Sequence, residues 1–388
     1  MRFPSYDIDL FDDDVIREPY SHYRAMRDLG PFVWLPRHEI IAAVRFDTVR
    51  DVLKQPDVFI SSEGVAVNAA LNRRNRTNTL ISDGDLHRQL KSVVGRPITP
   101  PNIDELTVTV RSMADELVSR LVGHGDFDGI ADFAQQLPIE IVSHMVGIPE
   151  EGRERMLAWS AALFNVIGAP NERAEIDGPV AAEMGPFIET IDYSDLRPGS
   201  WGAQLFEAVD RGEVEEKYLR GMLVDYIGPA LDTTLNGIAH MVHLLGTHPE
   251  QWALVLEDPD NNINRAVEET LRYETVIRGF TRLATEDIEV SGERINAGER
   301  VWAVLSSANR DERRFDDPDE FSVLRPRNNH VGFGSGQHLC VGVHLARLEM
   351  RSLLEAMTQH VTSIRIDEAR RGLNNMLRTF ETLSIRFD

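Results

Sequence analysis

Over residues 215–246 apolar side chains recur at helical spacing, among them Leu219, Met222, Leu223, Tyr226, Ile227, Leu231, Leu235, Ile238, Val242 and Leu245. At about 1.5 Å per residue this stretch predicts a helix of roughly 45 Å, long enough to cross the whole molecule, so the rest of the chain must be arranged around it. Pro229 lies in its middle. Proline supplies no backbone donor and presses on the carbonyl four residues back, here that of Asp225, so the helix is expected to kink or open at this point.

The flanking sequence is also mainly helical. Leu106, Val110, Met113, Leu117 and Leu121 keep a helical repeat, and similar stripes run through residues 139–146 and 156–166. Strand signals are short: residues 32–35 and 40–44 near the start, then 288–290 and 300–304, with Ser291-Gly292 and Gly298 as turns. Helix, strand and helix in unequal blocks, without alternating βαβ units, predict an α+β fold, mainly helical with a small β-rich portion. No internal repeat, low-complexity tract or Gly/Ser linker divides the 388 residues. One domain over 1–388 is therefore expected, although roughly 150 residues per domain would allow two or three.

Acidic residues number 63 against 41 basic ones, a formal charge of −22. Such a surface repels phosphate backbones and anionic lipid, which argues against nucleic acid and membrane as partners. The basic run Arg73-Arg74-Asn75-Arg76 lacks interleaved aromatics and reads as a solvated loop. Acids at Asp12-Asp13-Asp14 stand where a signal peptide would need an apolar run, and no stretch reaches the ~18 apolar residues of a spanning helix, so a cytoplasmic location is expected. A single cysteine, Cys340, excludes an internal disulfide and any zinc site needing two thiolates. His240 and His243, three apart, have no acid–histidine cluster to complete a metal site and read as a packed or surface pair. With no Gly-rich phosphate loop and no Gly-x-Gly-x-x-Gly after a strand, nucleotide and flavin domains are not expected.

Around the cysteine the chain reads Phe333-Gly334-Ser335-Gly336-Gln337-His338-Leu339-Cys340-Val341-Gly342. Two glycines bend the chain before the sulfur, and the stripe Val343, Leu345, Leu348 and Leu353 starts a helix directly after it. The free N–H groups and dipole of that helix are expected to favour thiolate, and the glycines let the backbone approach a flat, bulky group. A thiolate with no second sulfur suits one axial bond to iron, where its electron donation promotes O–O cleavage. This decapeptide resembles the heme-binding signature Phe-Gly-x-Gly-x-His-x-Cys-x-Gly of the cytochrome P450 family at every fixed position, and the resemblance runs from about Asp9 to the C-terminus. It implies the P450 fold, with the long helix over heme b, Cys340 as the iron ligand, and Phe333, Gly334, His338 and Gly342 as cofactor-binding residues.

Other segments carry the same resemblance. Glu269 and Arg272, three apart on one helix face, can pair, and with Arg325 they resemble the network that braces the family's heme-side core. Pro229-Ala230-Leu231-Asp232-Thr233-Thr234 resembles the oxygen-activation segment, implying Thr233 as the hydroxyl that steadies dioxygen and Asp232 as the access point for protons. Proline at the first position and Ala230 in place of the usual glycine depart from the pattern. For the heme propionates the resemblance points to His87, Arg282 and His338, with Lys91 where arginine is more usual, supplying charge without a planar fork. By position the substrate pocket is expected from residues 65–80, 163–167, 227–231 and 277–280, including Ala230, Leu231, Ile277 and Phe280. Arg278 either faces this pocket, where it would hold a carboxylate, or turns outward to the surface.

The implied function is that of a soluble bacterial-type heme-thiolate monooxygenase, inserting one oxygen atom from O2 into a small hydrophobic substrate. Electrons would come from a separate ferredoxin or flavodoxin with its reductase, docking on a basic patch near Cys340 that includes Arg347 and Arg351. Two alternatives stay open: a heme-thiolate enzyme of peroxide-driven or dehydrating type, which has less need of the Asp232-Thr233 pair, and a non-enzymatic heme sensor or electron carrier.

Overall fold

A computed structural model describes residues 2–72, 77–148, 153–326 and 328–388, excluding the side chains of 153 and 154. The basic run at 73–76 lies outside the described residues. The long helix is Leu219–Thr247, 29 residues, or about 43 Å. It is buried nearly all round, as its apolar sequence requires, and it forms the spine of the largest hydrophobic cluster together with Pro100–Leu121, Gln136–Val146 and Val343–His360. Pro229 does not interrupt the helix. The Thr233 hydroxyl donates to the Pro229 carbonyl at 2.6 Å, one turn back along the same face.

Five strands form the main sheet in the spatial order Phe32–Leu35, Ile40–Ala43, Arg300–Val304, Gly279–Ala284 and Phe59–Ile60. Ile40–Ala43 and Arg300–Val304 are parallel and the other pairs antiparallel. Ile288–Val290 and Glu293–Ile295 make a separate hairpin, closed by Ser291 and Gly292, both at positive φ, the backbone that a tight two-residue hairpin turn needs. The C-terminal strands Ile364–Arg371 and Phe380–Phe387 pair with each other and with Phe127–Asp128. They were not among the expected strands. Their signal is the alternation Leu383, Ile385, Phe387, which puts three apolar side chains into the core. The architecture is thus mainly helical with small sheets, the α+β arrangement that the sequence predicts.

One buried ion network ties the helix Pro259–Tyr273 to the loop leading to the cysteine. Arg272 grips Glu269 with Nε and a terminal nitrogen, both at 2.8 Å. Arg325 Nε reaches the same carboxylate at 3.0 Å, Asn328 donates to it at 2.9 Å and the Ser322 N–H at 3.1 Å. Arg272 also donates to the carbonyls of Asn309 and Pro318. The three residues singled out by sequence therefore meet in one fully paired cluster.

Candidate functional site

A cavity of about 630 Å³ lies between the long helix and the cysteine loop. Cys340 is exposed only in the sense that it opens onto this cavity, whose wall it helps to form. The loop's shape follows from two glycines in the left-handed region, Gly334 at φ 77° and Gly336 at φ 71°. At Gly336 a Cβ would also stand 2.7 Å from the Leu53 carbonyl oxygen, so any side chain there would push the loop off its support. The Cys340 N–H donates to the Phe333 carbonyl at 3.0 Å. The helix Val343–His360 begins directly after Gly342 as expected, but the thiol does not follow the expectation. Burial raises its pKa, outweighing the Gly342 N–H, Lys91 and Arg347, which pull it down. The helix terminus alone does not make a thiolate here; a cation at the sulfur has to.

Four candidate propionate-binding side chains line one part of the cavity: His87, Lys91, Arg282 and His338. The rings of His87 and His338 lie 4.1 Å apart between centroids. His87 Nδ1 is 2.8 Å from the Thr79 carbonyl, and burial lowers its pKa. Burial likewise lowers that of His338 to about 4, although its Nε2 lies 3.2 Å from Asp83 Oδ1. Both rings are therefore neutral near pH 7. For Asp83 burial works upward, but bonds from His338 and from the N–H groups of Ser61 and Ser62 win and hold it well below the usual carboxylate range. Arg282 is 4% exposed and, among the described residues, makes one hydrogen bond, to the Thr281 carbonyl. Burial lowers its pKa to about 10, with Asp83 as the only acid opposing this. Lys91 is committed elsewhere: its ammonium donates to the Gln337 and Leu339 carbonyls at 2.6 and 2.7 Å and so clamps the cysteine loop.

On the opposite wall the long helix presents Asp225, Pro229, Ala230 and Thr233, positions one turn apart that share a face. Leu231, expected in the pocket, points 200° round the helix from Pro229 and is wholly buried in the core instead. Asp232 also turns away from the cavity. It is buried beside Ser160 of the helix Arg153–Ile167, its Oδ2 has no partner, and burial raises its pKa to about 7, with the Ser160 hydroxyl opposing the shift. Ser160 donates in turn to the Gly228 carbonyl.

Neither expectation for Arg278 survives. Its guanidinium is buried, donating to the Tyr23 hydroxyl at 2.9 Å, the Asn375 carbonyl at 3.1 Å and the Leu10 carbonyl at 2.7 Å, and it stacks on Phe11. It braces the N-terminal segment and holds no substrate. The next residue, Gly279, has φ 156° and no room for a Cβ, which would fall 2.1 Å from the Ala303 carbonyl oxygen. Strand alternation is broken there, so Ile277, Phe280 and Arg282 reach the cavity while Arg278 does not. Wall residues that the sequence did not suggest include Asp225 and Met184, the latter from the helix Glu172–Thr190. Arg347 is not a free docking charge, since Glu268 takes its fork at 2.6 and 2.7 Å; Arg351 donates to the Arg347 carbonyl at 3.1 Å. His240 and His243 pack against Phe380. Among the described residues no cluster of three or more His, Cys, Asp or Glu forms a metal site, and no helix is long and apolar enough to cross a membrane.

The family model for Cytochrome P450 matches residues 203–363. The protein Cytochrome p450 CYP199A2 of Rhodopseudomonas palustris is 34% identical over 389 residues, covering 99% of this chain and 94% of that one. The chain belongs to the cytochrome P450 family. This P450 is also 31% identical to the cytochrome P450 monooxygenase PikC of Streptomyces venezuelae, over 99% of this chain and 94% of that protein. Among solved structures, P450BioI in complex with hexadec-9Z-enoic acid ligated acyl carrier protein superposes with a TM-score of 0.86 at 26% identity, covering 97% of this chain and 99% of that one. The family's cofactor is heme b, and the P450 is a monooxygenase of the oxidoreductase class. The residues present fit the group. A lone sulfur opens onto the cavity, and Arg282, buried with most of its donors idle, is the partner that an anionic propionate needs.

Proposed function

We propose that this P450 hydroxylates or otherwise oxygenates a small hydrophobic organic substrate held between the heme and the long helix, with electrons delivered by a separate ferredoxin or flavodoxin. One observation carries the reading: Cys340 and Thr233, from the cysteine loop and the long helix, line the same largely apolar cavity. In this reading Cys340 would hold heme b by its sulfur, and Arg282, His87 and His338 would meet the propionates. When bound, the heme activates dioxygen with electrons received from the partner. The chain's own part is to position the substrate, exclude water and move protons. Thr233 has its hydroxyl parked on the Pro229 carbonyl one turn back, while the carbonyl that loses its helical donor to the missing N–H of Pro229 is that of Asp225. Releasing that bond lets the hydroxyl donate into the cavity. Asp232, with a proton held to about pH 7 and an unpartnered oxygen, is suited to pass protons from the Ser160 side toward Thr233. Residues 1–388 are read as one domain, because the cavity takes its lining from Leu53 through Met350.

A spectral titration tests the reading. The heme-loaded protein should show a shift of its main absorption band with small apolar organics, and turnover of a binder with a surrogate ferredoxin system should yield a product one oxygen atom heavier. Labelled oxygen in the product derived only from water, or a sixth position that no added compound disturbs, would overturn it.

A further inference from the structure

The walls of the cavity are mostly aliphatic, and the cations that line it among the described residues are Lys91 and Arg282. One charged group stands apart from these. Asp225, on the long helix, is 8% exposed and lines the cavity. Its Oδ2 accepts the Thr79 N–H at 3.0 Å. The segment carrying Thr79 is pressed onto the helix at Gly221, where a Cβ would lie 1.9 Å from the Thr77 carbonyl oxygen, so the carboxylate is held in a fixed place. Among the described residues no lysine, arginine or histidine pairs with Asp225; its partner is Thr79. A carboxylate buried without a cation is costly, and here burial pushes the pKa up to about 7, the direction that an ammonium opposite it would reverse. An acid kept on a largely apolar wall, with one oxygen fixed by backbone and no cation beside it among the described residues, is placed to receive one from a ligand.

We propose that Asp225 anchors the substrate and that the cavity takes a hydrophobic molecule carrying a cationic nitrogen. This rests on the reading of the cavity as the substrate site over heme. The anchor sets the orientation as well as the class. Asp225 and Thr233 share a helix face eight residues apart, about 12 Å along the axis, so the ammonium sits at one end of the substrate and the oxidised carbon lies toward the other, nearer Thr233.

The test is an equilibrium titration of the heme-loaded enzyme with three probes of one shape and length: octyltrimethylammonium, whose nitrogen cannot bind iron, its neutral tert-butyl alkane isostere, and octanoate. Binding is read both from the heme band and by calorimetry. The expected result is that the ammonium binds at least about tenfold more tightly than the neutral isostere, that octanoate binds weakest, and that Asp225→Asn abolishes the tenfold preference. Asparagine can still accept the Thr79 N–H, so the variant keeps the fold. A preference for the neutral or anionic probe, or an ammonium preference that survives in Asp225→Asn, overturns the proposal. A red-shifted band in the reduced carbon-monoxide complex, recorded on the same samples, keeps the two claims apart. If it is present and the ammonium preference absent, only the anchor is wrong; if the band is missing, the heme-thiolate reading falls and the anchor with it.

Discussion

Glu269 and Asp225 are both acids buried on helices of the same molecule, and their surroundings are opposite. Glu269 is gripped by two arginines, an asparagine and a backbone N–H; Asp225 is met, among the described residues, by Thr79 and by no cation. Asp232 resembles Asp225, with one oxygen unpartnered. The fully paired acid sits behind the cysteine loop, where the chain needs a rigid support. Asp225 and Asp232 sit on the long helix that faces the cavity; a third underpaired acid, Glu349, is buried on the helix after the cysteine. Buried charge that is complete holds the fold together, and buried charge that is incomplete is available for chemistry or binding.

Breaking the complete side should cost most. Glu269→Gln leaves Arg272 and Arg325 without a carboxylate, and the expected loss is about 3–5 kcal/mol of stability by denaturant titration. Asp225→Asn, which strands no cation, should move the same midpoint by less than about 1 kcal/mol. Equal losses would erase the contrast between the two acids.

On the incomplete side, Thr233→Ala should leave heme content and substrate binding unchanged while lowering product formed per electron pair by at least about tenfold, the scale of a lost proton-transfer group, with the electrons recovered as peroxide. Full coupling in the variant would show that the hydroxyl bonded to Pro229 has no part in proton delivery.

The smallest effect is in pH dependence. Asp225 and Asp232 both have folded pKa values of about 7, above the ordinary 3.8, because burial disfavours the charged form. The folded protein therefore keeps two protons that the unfolded chain releases at lower pH, and the stability they contribute is lost as pH rises toward and through about 7. The contribution of these two acids to the melting temperature should fall between about pH 4 and 7, so Asp225→Asn and Asp232→Asn should each remove part of that downward slope relative to wild type. An unchanged slope in both variants would mean that neither acid holds its proton.

Much of the paired side was legible in the sequence, because its information is local. The cysteine loop is ten consecutive residues with glycines at the strained positions, and Glu269 and Arg272 are one helical turn apart. The incomplete side was read less well, for physical reasons. What distinguishes Asp225 is the absence of partners, and absence has no motif; an acid between Leu223 and Tyr226 looks like any interruption of an apolar stripe. Leu231 was misplaced because a range of residues was assigned to the pocket where only one helix face reaches it. Arg278 was expected in the pocket or at the surface, and its burial against the N-terminal segment depends on partners distant in sequence, Leu10, Tyr23 and Asn375. At Cys340 the Gly342 N–H at the helix terminus does favour thiolate as the sequence suggests, but burial, which sequence does not show, raises the thiol's pKa by more.

The central claim is that Cys340 presents its sulfur to heme iron across the cavity from Thr233. The absorption spectrum of the reduced carbon-monoxide complex tests it most directly. The wild-type protein should show the strongly red-shifted band of a thiolate ligand, and Cys340→Ser should lose it while the protein remains folded. Persistence of that band in the serine variant, or a wild-type band at the unshifted position of an imidazole-ligated heme, would contradict the account.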